Sequence, residues 1–119
     1  MDQQMYPPLS KEMAKQRAEL TPEIQTAFKT FSARVFADGA LPNKTKQLIA
    51  VAAAHVTQCP YCIRSHTRAA MQHGATAEQI MEAVWVAAEM RAGGAYAHSA
   101  LAIDTIGRTQ AEKFLEGTK

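Results

Sequence analysis

The stretch Leu48-Ile49-Ala50-Val51-Ala52-Ala53-Ala54, continued by His55-Val56-Thr57-Gln58-Cys59-Pro60-Tyr61-Cys62-Ile63-Arg64-Ser65-His66, sets the organisation of the chain. Its first half has no polar face, and a helix of small apolar residues reads as buried all round, with neighbours close to its backbone. Its second half holds the only two cysteines of 119 residues, with one histidine four residues before the first and another four after the second. With Cys59 as N-cap, Pro60 falls at the first helical position, where its missing N–H is not needed and its fixed φ suits the helix. Cys62 then lies in the first turn, near the positive end of the helix dipole. Residues three and four apart share a helix face, so Cys59, Cys62 and His66 line up.

Outward from this stretch the chain reads as a series of helices. Met1 to Leu9, with Pro7-Pro8, is an extended arm, and Ser10 caps a short helix over 11–19. Thr21-Pro22-Glu23 repeats the start signal, and Ile24, Ala27, Phe28, Phe31, Val35 and Phe36 follow helical spacing until Asp38-Gly39. Leu41-Pro42-Asn43 opens the helix that runs to about Thr57. The Cys59 helix stops at Gly74, a C′ glycine. Thr76-Ala77-Glu78-Gln79 is a capping box and starts a helix through Ile80, Val84, Val86 and Met90. Gly93-Gly94 is expected to break it, with a last helix from about Tyr96 toward Phe114. No alternating run predicts a strand. The expected fold is all-α, one domain over 1–119 with about six helices. A chain this short hardly surrounds the 48–54 helix by itself, which points to a homo-oligomer.

Composition narrows the functional classes. At 47% apolar and 20% charged the chain is globular in type. Its net charge is +2 and its basic residues are scattered, so neither nucleic acid nor an anionic membrane is implied. Residues 1–9 lack the apolar run of a signal peptide, and no stretch reaches the ~18 apolar residues of a membrane span. A cytoplasmic location is the expectation. In a reducing compartment a Cys-x-x-Cys pair is more often catalytic or metal-binding than a structural staple.

Three chemistries compete for the cysteines. As buried small hydrophobes they would leave the helix-start placement and the flanking histidines unexplained. As a zinc site, His55, Cys59, Cys62 and His66 offer four good ligands. Yet the two histidines are eleven residues apart, about 16 Å along a helix at ~1.5 Å per residue, so one ion needs the chain to turn back at Gln58. As a redox pair they need a base, because the thiolate attacks. His66, one turn beyond Cys62 on the same face, takes that role. A thiol of pKa ~8.5 is only about 3% thiolate at pH 7, and one lowered to ~7 about half.

The motifs Leu41-Pro-x-Lys-x-Lys-x-Leu-Ile-Ala, Cys59-x-x-Cys62-x-x-x-His66-Thr-Arg-Ala-Ala and Gly74-Ala-Thr-x-Glu-Gln-Ile-x-Glu-Ala resemble the carboxymuconolactone decarboxylase family. The closer match is its alkylhydroperoxidase D-like branch. The resemblance spans roughly residues 35 to 105, with the core motifs in 41–90. It implies an all-helical domain, a homo-oligomer (trimer or hexamer) and thiol-dependent reduction of hydroperoxides. It also makes Cys62 the sulfur attacked by peroxide and Cys59 the one that resolves the sulfenic acid into a disulfide. A lipoyl-type or other thiol protein is the reductant it implies.

Two positions depart from the family pattern. Gln47 stands where the proton relay begins with glutamate, and glutamine cannot take up a proton. Tyr61 stands where antioxidant members often carry histidine, and reads either as a hydrogen-bond donor or as a helix-start aromatic. The expected catalytic set is Cys62, Cys59, His66, Gln47 and His55, with no cofactor and no metal required. His55, eight residues after Gln47, reads either as a relay member or as a hydrogen-bonded core residue. Arg64 and Arg68 read as solvated charges, Glu82 and Glu89 as helix-surface residues, and His73 as a charge at a helix C-terminus. Trp85, Tyr96 and His98 read as core or subunit contacts. The alternatives are a decarboxylase or isomerase acting on a lactone-like acid, indifferent to thiol alkylation, and a non-catalytic binding or scaffold oligomer.

Overall fold

Each helix begins where a start signal lies. The structure, a computed structural model, describes residues 5–117; the first four residues of the expected arm lie outside them. The elements are α1 (Lys11–Leu20), α2 (Pro22–Phe36), α3 (Asn43–Thr57), α4 (Pro60–Gln72) and α5 (Ala77–Gly117), with no strand among the described residues. Ser10 Oγ accepts from the Met13 N–H at 3.0 Å, and Cys59 Sγ from the Cys62 N–H at 3.2 Å. At α5 the capping box is complete: Gln79 N–H donates to Thr76 Oγ1 at 3.1 Å and Thr76 N–H to Gln79 Oε1 at 3.0 Å. Pro42 has no side chain with which to cap α3. Asp38 serves instead, its carboxylate accepting the Asn43 N–H at 2.7 Å at the positive end of the helix.

Two turns fold the chain back on itself. Gln58 adopts the left-handed conformation, φ 60°, and the Cys59 N–H closes on the Ala54 carbonyl at 3.1 Å. The reversal lays α4 back along α3. Gly74, φ 91°, ends α4 with a Schellman pair, Ala75 N–H to Ala70 C=O at 2.9 Å and Gly74 N–H to Met71 C=O at 3.0 Å. The same turn buries Ala75 against Ala70. Val51, Ala70, Ala75 and Ile80 form the core, with Leu48 and Val84 packed against it. α3 therefore lies between α4 and the first part of α5.

One expectation is corrected. Gly93-Gly94 does not interrupt the last helix, so α5 runs for 41 residues, and the five helices among the described residues keep to the expected all-α fold. Each glycine costs only about 1 kcal/mol in a helix interior, and alanines on both sides keep the helix continuous. As expected of a chain this short, α3 is not buried all round within one chain. Gln47, Val51 and Ala54 are buried, whereas Ile49 is 53% exposed and Val56 46%.

The same incompleteness extends through the molecule. α2 turns Ile24, Phe28, Phe31 and Val35, an i, i+4, i+7, i+11 stripe, to solvent. On α5 the exposed apolar residues include Trp85, Leu101, Ile103, Ile106 and Phe114. The radius of gyration is 22.2 Å, against about 13–14 Å for a compact domain of this length.

Candidate active site

The reversal at Gln58 brings α3 and α4 together along the face that carries the candidate residues Gln47, Cys62 and His66. Gln47, in the second turn of α3, is buried at 6% exposure. Its Oε1 lies 2.8 Å from His66 Nδ1. A carboxamide oxygen only accepts, so His66 Nδ1–H is the donor and Nε2 keeps the free lone pair. Phe36, the last residue of α2, stacks on the imidazole with centroids 5.0 Å apart and planes inclined by 26°. That cover leaves the ring half-buried, and desolvation lowers the His66 pKa below 6.5. His66 is therefore neutral at physiological pH, with one nitrogen able to take a proton.

Cys62 lies one turn before His66 on the same face. An open cleft of about 210 Å³ is lined by Ala50, Ala53, Ala54 and Thr57 of α3 with Cys62 and His66 of α4. The four α3 residues, three alanines and a threonine, are small and leave room beside the sulfur. Cys59 and Cys62 form a disulfide across the first turn of α4, Cα–Cα 5.3 Å. The N-cap position turns the Cys59 side chain back over that turn, so the backbone places both sulfurs together.

His55 is not brought into this group. Its Nδ1–H donates to the Val51 carbonyl of its own helix at 2.7 Å. It stands about 100° round α3 from its neighbour Ala54, away from the cleft. Gln47, Cys59, Cys62 and His66 thus come together, and His55 sits apart as a hydrogen-bonded helix residue. Among the described residues no three His, Cys, Asp or Glu side chains are placed to hold a metal ion.

Three contacts at the site carried no local signal in the sequence. Phe36 fits the helical pattern of α2, and nothing near it in sequence indicates that it covers His66. Tyr61, inside the Cys-x-x-Cys motif, donates its hydroxyl to the Pro7 carbonyl at 2.9 Å and meets Tyr6 edge-on at 5.9 Å. Gln58, with its amide oxygen turned to the guanidinium, accepts from Arg91 of α5 at 2.7 and 3.1 Å. That contact ties the reversal to the long helix.

Compared with known proteins, residues 22–105 match the model of the carboxymuconolactone decarboxylase family. The chain belongs to that family. It is 68% identical over 76 residues to uncharacterized protein 4 of the cox locus of Paracoccus denitrificans, covering 64% of this chain and 68% of that one. A carboxymuconolactone decarboxylase family protein of Legionella pneumophila has a similar structure, with 40% identity and TM-score 0.61 over 66% of this chain and 70% of that one. A Methanobacterium thermoautotrophicum structure is 39% identical with TM-score 0.66, covering 71% and 94%. A Thermotoga maritima member, for which a part in the antioxidative response has been suggested, is 35% identical with TM-score 0.52 over 55% and 67%. No described helix, α5 included, is long and apolar enough to cross a membrane.

Within this family frame, the lowered His66 pKa sets a pH signature. The folded state holds His66 neutral while the unfolded chain protonates it near its ordinary value, so unfolded chains bind more protons below about pH 6.5. Stability is thus fully present above that value and falls as the pH drops through the folded pKa. Thermal melts from pH 7.5 to 4.5 are expected to show this loss, and His66→Asn to flatten that part of it. Gln47→Glu places a carboxylate against the ring and raises the His66 pKa toward its ordinary value, which shrinks this loss, and reverses its sign once the folded pKa passes the unfolded one.

Proposed function

We propose that the protein is a thiol-dependent peroxidase that reduces hydroperoxides through a Cys59–Cys62 dithiol–disulfide cycle. The observation that carries the reading is the pair of sulfurs at the start of α4 with a neutral, oriented His66 one turn away on the Cys62 side. From the dithiol form, His66 Nε2 takes the Cys62 proton, directly or through one water, and the α4 dipole favours the resulting thiolate. The thiolate attacks the terminal oxygen of the hydroperoxide. The O–O bond breaks, the alcohol leaves with the proton from His66, and Cys62 becomes a sulfenic acid. Cys59 then attacks the Cys62 sulfur, forming the disulfide and releasing water. Two electrons and two protons from a dithiol reductant, of the lipoyl or another thiol-protein class, restore the pair.

Cys62 is assigned as the attacked sulfur because it lines the open cleft with His66, whereas Cys59 caps the helix through its contact with the Cys62 N–H. Gln47 orients the imidazole but cannot accept the second proton a glutamate would take. The relay therefore ends at His66, which passes the proton taken from Cys62 to the leaving alkoxide. No metal or organic cofactor enters this cycle.

The reading includes assembly into a homo-oligomer. The α2 stripe, the open face of α3 and the apolar residues of α5 leave more apolar surface in water than one chain of this size sustains. Copies of the same chain cover it, in a trimer or hexamer.

Two measurements follow. With Cys59→Ser, peroxide is expected to leave a trappable sulfenic acid on Cys62, and with Cys62→Ser, Cys59 reacts at least about tenfold more slowly, for want of the base. Mass labelling that finds Cys59 oxidised at the parent rate in the second variant reverses the assignment. Light scattering at micromolar concentration is expected to give a multimer of the 13.0 kDa chain, and a stable monomer removes the assembly from the proposal.

A further inference from the structure

On the side of α4 away from Cys62 and His66, the N-terminal arm and the helix enclose a second cleft. It measures about 230 Å³ and is lined by Pro8 and Leu9 of the arm and by Tyr61, Arg64, Ser65 and Arg68 of α4. Arg64 and Arg68 stand one turn apart on one helix face, about 160° and about 120° round from Cys62. Like charges so placed destabilise a helix. Here no carboxylate lines the cleft, and neither guanidinium makes an ion pair or hydrogen bond among the described residues. The arm is held over them by the Tyr61 hydroxyl on the Pro7 carbonyl and by the Tyr6–Tyr61 ring contact. Both guanidiniums are exposed to solvent, and Pro8 and Leu9 of the arm form an apolar wall beside them.

We infer that this arm–α4 cleft binds an organic oxyanion, a carboxylate or a phosphate ester. Arg64 and Arg68 clamp the charged head, Ser65 supplies a hydroxyl, and Pro8 and Leu9 pack against the body of the ligand. Guanidinium forks match the geometry of both anions and give charge-assisted hydrogen bonds to either. The site is separate from the disulfide cleft and does not rest on the redox reading. Tyr61 links the two physically, since it belongs to the Cys-x-x-Cys motif and anchors the arm that forms one wall.

The test is a titration of the full chain, followed by amide shifts, with inorganic phosphate in one arm and octanoate in the other. Saturable shifts centred on Arg64, Ser65, Arg68 and the arm, weakening as salt is raised, are expected. Tighter binding of octanoate assigns the carboxylate class with an apolar body, and tighter binding of phosphate assigns the ester class. Arg64→Gln with Arg68→Gln is expected to weaken binding by about tenfold or more, at about 1.4 kcal/mol per tenfold, without changing the Cys59–Cys62 oxidation rate. Tyr61→Phe, which removes the bond to Pro7 but keeps the ring against Tyr6, is expected to weaken it less. Absence of saturation in both arms overturns the inference. So do shifts confined to the α4 N-terminus, or binding unchanged in the double arginine variant.

Discussion

The structure turns on one reversal, the left-handed Gln58 between α3 and α4. A non-glycine residue at φ 60° is uncommon, and it persists where the surroundings over-determine it. Here four hydrogen bonds do so: the Gln58 and Cys59 N–H groups both return to the Ala54 carbonyl, and the Gln58 side chain accepts two from Arg91. With the chain so turned, Cys59 becomes the N-cap of α4 and His66 comes level with Gln47. Without it the two halves of the site, eleven residues back on α3 and eight forward on α4, have no reason to meet. The core residues Val51 and Ala70 are brought together by the same turn.

An amide rather than a carboxylate at Gln47 has an electrostatic consequence for the proposed chemistry. A glutamate beside His66 stabilises the imidazolium and so helps thiol deprotonation, while glutamine holds the ring in place and leaves it neutral. Burial under Phe36 acts in the same direction by lowering the His66 pKa. The result is a base that is available across the physiological range but retains a transferred proton weakly. Fast release of that proton to the leaving alkoxide suits the peroxide step, and weaker thiolate stabilisation opposes it. The dipole of α4 supplies part of what the missing carboxylate does not.

Much of this was legible before any coordinates. The helix starts at Ser10, Thr21, Cys59 and Thr76 and the C′ glycine at Gly74 depend on local chemistry, so sequence alone places them. The pairing of Cys62 with His66 follows from helical spacing. The continuous α5 was not legible, because Gly93-Gly94 is a break only if the flanks are weak, and Ala92 and Ala95 are strong helix formers. Whether His55 joins the site depends on a rotation about α3 that an uninterrupted apolar run does not reveal. Phe36 over His66 and the arm on Tyr61 are contacts between distant segments, for which one sequence carries no signal. The open side of α3 is of the same kind: a run of apolar residues does not say which face its own chain leaves open.

The central claim is that Cys59 and Cys62 act as one two-electron unit toward peroxide. Counting free thiols in the fully reduced chain before and after one equivalent of hydroperoxide tests it most directly. The account predicts the loss of two thiols per chain, with an intramolecular Cys59–Cys62 disulfide in the mass spectrum. A thiol count that peroxide leaves unchanged on the timescale of free cysteine contradicts it.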